Sequence, residues 1–437
     1  MKLEIYDIVG IGFGPANIAV AVALDEIGWR GSTLFLERAA GPHWQPGMLI
    51  DGADTQNHPL RDFVTPRNPR SKYGFLTYLH EHQRFFDYLN LGLHYPLRKD
   101  FAQYVQWVAR QFDDIVAYSQ DVTGITTTRH AGLPVYQLQT AAGHTVLARS
   151  LIFAPGRTPH IPTPFKTLQA EHLTHLVNYR ERIQSFARNH PEGCVAVVGS
   201  SQSAVEIVLD IADRFDRLSV VNLVRGFGYQ LKDTSPFSEH AYFPEFVDAF
   251  YGASEAAKGK LRTELWRSNY SSADADVINR LYLKLYEQKL DRREQVRLIT
   301  QNEVVSARSE SDGARLRLRH ALADGRTEIC AGLVILATGF LNFGDGVQQE
   351  RYPALLDSIS GMVDRRDDGS FAVGRDYRAT GIDALPPLFI NGLNESTHGF
   401  GDAGSFSLLS LRAWHIVQAA IAALQATGAQ TPERALS

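Results

Sequence analysis

The sequence predicts an α/β protein built from two Rossmann-like units. Three observations carry that reading. An apolar strand runs into a glycine-rich turn and a helix over residues 5–24, a second such opening spans 194–208, and the 437-residue chain exceeds one ordinary domain.

Taken in order, Ile5-Tyr6-Asp7-Ile8-Val9 is β-rich and apolar around one acid, as a buried parallel strand is. Glycines follow, then an Ala- and Leu-rich helical run at 18–24 and a strand at 32–36 ending in Glu37. Residues 41–72 are rich in Pro, Asn, Gly and Asp and are expected as a long functional loop. From 75 to 110 aromatic and aliphatic residues recur at helical spacing, broken by Pro96, and short strands are expected over 116–149. Leu151-Ile152-Phe153 leads into Ala-Pro-Gly-Arg-Thr-Pro. A new unit begins near Pro191, residues 233–292 read as helical, strands return over 297–336, and a helix closes the chain at 408–424.

Composition narrows the function. Hydrophobic residues make up 44% and charged residues 21%, as in soluble globular chains. The formal net charge of -4 comes without a basic stripe, so no nucleic-acid partner is expected. No run approaches the roughly 20 apolar residues of a membrane span, and no signal-peptide cleavage pattern opens the chain. Two cysteines, Cys194 and Cys330, form neither a disulfide framework nor a CxxC pair. A reducing cytoplasm is therefore expected, and no metal site.

The first turn, Gly12-Phe13-Gly14-Pro15-Ala16-Asn17, has the physics of a dinucleotide site. Gly12 permits the turn, Gly14 admits a pyrophosphate, Pro15 and Asn17 open the helix, and Glu37 is placed to accept from a ribose hydroxyl. The second turn, Gly199-Ser200-Ser201-Gln202-Ser203-Ala204, precedes a strand followed by Arg225. An arginine there suits the 2′-phosphate of NADPH. Two such turns imply two dinucleotides, one a flavin and one the nicotinamide that reduces it, hence an oxidoreductase. A dithiol reductase of this architecture is excluded, because no cysteine pair is available.

The motifs 12–17, His43-Trp44-Gln45-Pro46-Gly47-Met48, Arg67-Asn68-Pro69-Arg70-Ser71, Ser235-Pro236-Phe237, Asn269-Tyr270, Ala337-Thr338-Gly339-Phe340 and Asn394-Glu395-Ser396-Thr397-His398-Gly399 occur in order along nearly the whole chain. Jointly they resemble the N-hydroxylating flavoprotein monooxygenases, the ornithine and lysine N-hydroxylases of siderophore pathways. The resemblance implies FAD, NADPH, O₂ and a small primary amine, with oxygen transferred through a C4a-hydroperoxyflavin and no acid–base triad. It also implies a homo-oligomer, often a tetramer. The FAD domain is expected at 1–165 and 332–437, and the NADPH domain is inserted at 166–331 with its substrate-contacting helical segment at 233–292.

By the same resemblance, Gln56 and Ser410 lie beside the flavin. Trp44, Thr338, Gly339 and Leu409 join the cofactor contacts, and Gln202 and Ser203 meet the NADPH pyrophosphate. Asn269 contacts the substrate. Arg61 stands where the family usually has a lysine that grips the substrate carboxylate, and the two cations are not interchangeable. Glu239 stands at a substrate-contacting asparagine, where its charge would favour an amine or pair with Arg61. His58 and Arg412 are further departures. Arg61 and Arg412 together would suit the α-amine of an acidic amino acid such as aspartate, a reading Glu239 opposes. A Baeyer–Villiger oxygenase would show FxGxxxHxxx(W/P); Gly156, His160 and Pro164 fit, but Ala154 occupies the phenylalanine position. A silent flavin-binding module is the non-enzymatic alternative.

Overall fold

The computed structural model describes residues 4–402 and 404–426. Two sheets form its frame, the first mixed and the second wholly parallel. In the first, Ile5–Ile11 lies between Thr33–Leu36 and Thr145–Phe153, all parallel. Antiparallel strands Leu133–Thr140 and Val122–His130 extend one side. Leu388–Ile390 returns from far along the chain to pair in parallel with residues 151–153. The C-terminal helix Leu409–Ala426 then packs on the crossover helix Pro15–Glu26, so both halves of the chain build this unit.

The second sheet is five-stranded and wholly parallel. Cys194–Val198 is flanked by Ser219–Leu223 and Leu333–Leu336, with Val296–Ile299 and Leu173–His175 outside. One boundary therefore needs correction. A division at 332 assigns the strand Leu333–Leu336 to the terminal unit, yet its hydrogen bonds go to Cys194–Val198 and Leu173–His175. The antiparallel sheet of Asn302–Glu310, Gly313–His320 and Arg326–Ala331 belongs with this inserted unit, sharing one apolar cluster with Ala196, Val221 and Leu336.

The helical segment divides its loyalty. Ala275–Leu290 packs on Gln202–Arg214, with Arg280 and Lys284 paired to Asp213. Pro244–Gly252 and Glu255–Glu264 instead bind the terminal unit, through Arg375–Asp248 and Arg366–Glu255 at 2.7 Å each. The segment thus bridges the two units rather than riding on the inserted one alone.

The two chain crossings between units form a clasp. Pro159 and Phe340 pair antiparallel, the His160 N–H donates to Gly339 O, and the Leu341 N–H donates to Thr158 O. The Thr338 hydroxyl donates to His160 O at 2.6 Å, and His175 Nε2 lies 2.9 Å from Gly339 O.

Burial pushes the imidazoles of His175 and His398 down to about 4. An unfolded chain takes up protons at these sites between about pH 6.5 and pH 4 while the folded chain does not, so their contribution to stability is complete above 6.5 and lost towards 4. Asp54, raised by burial to about 6, acts with the opposite sign. His175→Gln keeps a donor for Gly339 O but cannot titrate. Thermal melts between pH 7.5 and 4.5 should show its pH slope shallower than wild type by about one proton; equal slopes would contradict a neutral buried His175.

Candidate active site

The two glycine turns are built alike. Gly12 has φ +80, and a Cβ there would lie 2.4 Å from Ala154 O; Gly199 has φ +141, and its Cβ would lie 2.5 Å from Ala337 O. Each alanine follows the neighbouring parallel strand and donates its N–H to the strand before the turn, at Ile11 O and Val198 O. Only glycine fits such a close approach with positive φ. Gly14 differs: an added Cβ would meet nothing within 4 Å. The protein leaves open space where a pyrophosphate is expected, above the helix N-terminus that begins at Pro15.

Glu37 holds this turn. Its two carboxylate oxygens accept from the Phe13 N–H at 2.6 Å and the Ala39 N–H at 2.8 Å, leaving lone pairs for a ribose hydroxyl. Asn17 is buried and donates inward to Ile11 O and Gly12 O, so its side chain secures the loop instead of meeting a cofactor. Trp44 sets its indole against Phe101 and Phe406, and Leu409 is packed in the terminal core. Ser410, on the first turn of the last helix, has a buried Oγ with no hydrogen-bond partner. An orphaned hydroxyl at this position fits the flavin-adjacent role inferred for it.

On the second turn, Ser203 is half-buried and Arg225 is exposed just beyond Ser219–Leu223, without an ion pair among the described residues. Gln202 departs from expectation. Its backbone N–H donates to Ser272 O, its Oε1 accepts from the Asp274 N–H, and its Nε2 donates to Glu206. Every polar group of its side chain is spent inside the protein. Thr338 and Gly339 are likewise occupied by the clasp between crossings.

These partners form a relay across the seam. Arg98 binds Glu206 through both terminal nitrogens, at 2.8 and 3.0 Å, and donates to Met48 O. Glu206 leads to Gln202, Gln202 to Asp274, and Asp274 Oδ2 accepts from Gln56 Nε2 at 2.6 Å. Gln56 adopts φ +51 in the loop after Asp54. Asp274 had no local signal, since its partner is 218 residues away in sequence. A second network was also missed: Arg157, Tyr270, Asn342 and Glu395 join by hydrogen bonds of 2.5–3.3 Å at the crossings. Burial raises the Glu395 carboxyl, while the nearby Arg157 opposes this.

Of the candidate substrate residues, the structure brings Arg61 and Glu239 into contact. Arg61 Nη1 lies 2.9 Å from Glu239 Oε2 and 3.2 Å from Ser407 Oγ. The pairing of Arg61 with Glu239, one of the two roles weighed for that glutamate, is thus the one adopted. His58 is exposed nearby, its imidazole lowered first by partial burial and then by His94 and Arg61. Asn269 is exposed at the end of Trp266–Ser268. Arg412 does not join them. It is buried, ion-paired with Asp402 at 3.1 Å and bound to Asn391 at 3.0 Å, so its cation is consumed within the terminal unit. No set of three or more His, Cys, Asp or Glu among the described residues is arranged for a metal.

Two nucleotide-binding turns define a two-dinucleotide oxidoreductase frame, and the family match makes the chain a flavin- and NADPH-dependent N-hydroxylating monooxygenase. The chain belongs to the L-lysine 6-monooxygenase/L-ornithine 5-monooxygenase family, whose model matches residues 4–342. It is 31% identical to an L-ornithine N(5)-monooxygenase of Pseudomonas aeruginosa over 94% of this chain and 93% of that one. The reduced ornithine hydroxylase structure from Pseudomonas aeruginosa superposes with a TM-score of 0.88 at 30% identity, covering 96% of this chain and 100% of that one. An ornithine N-hydroxylase from Kutzneria sp. 744, solved with reduced FAD, NADP⁺ and L-ornithine, gives 0.86 at 27% identity, covering 95% and 99%. These findings favour the ornithine/lysine type over the acidic-amino-acid and Baeyer–Villiger alternatives.

The two glycines of the first turn make separable predictions. Gly12→Ala should destabilise the fold by about 1–3 kcal/mol, from its strained φ and the clash with Ala154 O. Gly14→Ala should melt within about 0.5 kcal/mol of wild type yet copurify with much less flavin, read by absorbance. Full flavin retention in Gly14→Ala would contradict the assignment of that open space.

Proposed function

We propose that the protein N-hydroxylates the side-chain amine of a basic amino acid, ornithine foremost, with NADPH and O₂. The observation that carries the reading is the convergence of an arginine–glutamate pair with two nucleotide-binding turns on one seam. FAD would be held by the 12–15 turn, Glu37 and Ser410, and NADPH by the 199–203 turn and Arg225. Bound FAD, once reduced by NADPH, supplies the activation of O₂ that transfers one oxygen atom to the amine nitrogen.

The chain's own residues do the rest. Gln56, fixed by Asp274, presents an ordered polar edge at the loop nearest the expected flavin position. The aromatic packing of Trp44, Phe63, Phe101 and Phe406 beneath the last helix keeps that wall dry. The relay from Arg98 to Gln56 ties the turn that holds one nucleotide to the loop beside the other. Positioning and water exclusion, rather than a strong acid or base, are what the site provides.

Among the described residues no helix is long and apolar enough to cross a membrane. We read the compartment as the reducing cytoplasm, supported by two free thiols. We read the assembly as a homo-oligomer, supported by the exposed stripe Tyr282, Leu283, Tyr286 and Leu290 on one helix.

FAD-loaded protein with NADPH and air should convert ornithine to its hydroxylamine. NADPH oxidation without hydroxylamine from ornithine, lysine or putrescine would overturn the reading. Arg225→Ala should raise KM for NADPH by about tenfold or more, as loss of a charge-assisted contact requires, while leaving NADH nearly unchanged. Equal effects on both nucleotides would remove Arg225 from the 2′-phosphate.

A further inference from the structure

One side-chain amide, that of Gln56, is held at the expense of local structure on three counts. Gln56 adopts φ +51, a left-handed conformation that a residue with a side chain seldom takes. Asp54 Oδ1 keeps it there by accepting its backbone N–H at 2.9 Å. Burial is the main reason the Asp54 carboxyl rises to about 6; the Gln56 N–H opposes that rise, and the carboxyls of Asp274 and Glu206 add to it. Asp274, for its part, is the N-cap of the helix Ala275–Leu290, yet its side chain makes no capping hydrogen bond. An aspartate at that position ordinarily accepts from a backbone N–H two or three residues on. Here it accepts instead from Gln56 Nε2 at 2.6 Å, across 218 residues of sequence. Local geometry that is strained or forfeited around one group points to function rather than to folding.

The contact with Asp274 also decides which way the amide faces. A carboxylate has no proton to give, so it takes the NH₂ end of the glutamine and turns the carbonyl end away. The backbone of Asp274 is fixed as well: its N–H donates to Gln202 Oε1 at 2.9 Å, and Gln202 Nε2 donates to Glu206. Among the described residues none donates to Gln56 Oε1, and Gln56 is half-buried. The edge left facing outward is an acceptor without a donor.

We propose that Asp274 is a positioning residue that fixes the polarity of the Gln56 amide, and that the acceptor edge so presented favours reduced over oxidised flavin. The inference rests on the proposed placement of the flavin beside Gln56 and deepens it. Two-electron reduction of an isoalloxazine turns ring nitrogens from hydrogen-bond acceptors into N–H donors. An amide carbonyl gains a partner by that change and faces a lone pair without it; an amide NH₂ would do the reverse. Because the orientation is set by the protein in advance, none of the difference is lost in turning the amide. A reaction that must hold its flavin reduced until O₂ arrives is served by that bias.

The test is the midpoint potential of the bound flavin, measured by reduction titration without substrate or nicotinamide at about pH 8, above the range in which Asp54 titrates. Asp274→Asn keeps the size of the side chain but can donate as well as accept, so it frees the amide to face either way. Removing a negative charge would by itself raise the potential. Asp274→Asn is therefore compared with the same change in a Gln56→Leu background, where only the charge effect remains. It should disfavour reduced flavin about fivefold to tenfold more when Gln56 is present than when leucine replaces it, the weight of one hydrogen bond, or about 20–30 mV for a two-electron couple. Gln56→Leu alone should lower the potential by a similar amount, and it carries the test if Asp274→Asn does not retain flavin. Equal shifts in the two backgrounds would make Asp274 a matter of charge or folding and overturn the proposal. So would a Gln56→Leu potential at or above that of wild type. A wild type that binds no flavin would overturn the proposed function together with this inference. The expected potentials without hydroxylamine from ornithine or lysine would overturn the proposed reaction and leave the role of Asp274 standing.

Discussion

The constraint on which the rest depends is the buried ion pair between Arg98 and Glu206. Arg98 opens the helix Arg98–Arg110 of the terminal unit, and Glu206 lies on the crossover helix of the inserted unit. Both are withdrawn from water, so each needs the other: removing one partner of such a pair costs about 3–5 kcal/mol because a charge is left buried and unmatched. That penalty makes one relative placement of the units strongly preferred. The bidentate geometry adds direction to it, since a planar guanidinium facing a carboxylate fixes orientation as well as distance.

From this pair the order passes outward to the chemistry. Glu206 fixes Gln202, Gln202 fixes Asp274, and Asp274 fixes Gln56. A residue on the second glycine turn is thereby linked, through Asp274, to the Gln56 side chain of the terminal unit. The clasp of the two chain crossings and the network of Arg157, Tyr270, Asn342 and Glu395 act at the other side of the seam. The Arg61–Glu239 contact, by comparison with the Arg98–Glu206 pair, is part-exposed.

What could be read in the sequence follows from how local each signal is. The two strand–turn–helix openings are short contiguous patterns and both form where the sequence places them, while the equivalent approach of Gly12 to Ala154 and of Gly199 to Ala337 is visible only in the fold. The pairing of Arg61 with Glu239 was foreseen as one of two options because opposite charges at a shared site limit the outcomes. Asn17, Gln202 and Thr338 bond inward to Gly12 O, the Asp274 N–H and His160 O, partners that come from packing no local pattern records. Arg412 was offered as a substrate cation, but Asp402, ten residues before it, claims it inside the terminal unit. The strand Leu333–Leu336 was set on the wrong side of a boundary because an apolar strand does not announce which sheet it joins.

The most direct test is a crystal structure of the FAD-loaded enzyme with NADP⁺ and ornithine. The account predicts flavin along the 12–15 turn, NADP⁺ along the 199–203 turn, and the Arg98–Glu206 pair intact. Between the units, the amino acid should lie with its side-chain amine towards the flavin. An amino acid bound away from both nucleotides, or a flavin lying away from Gly14, would contradict it.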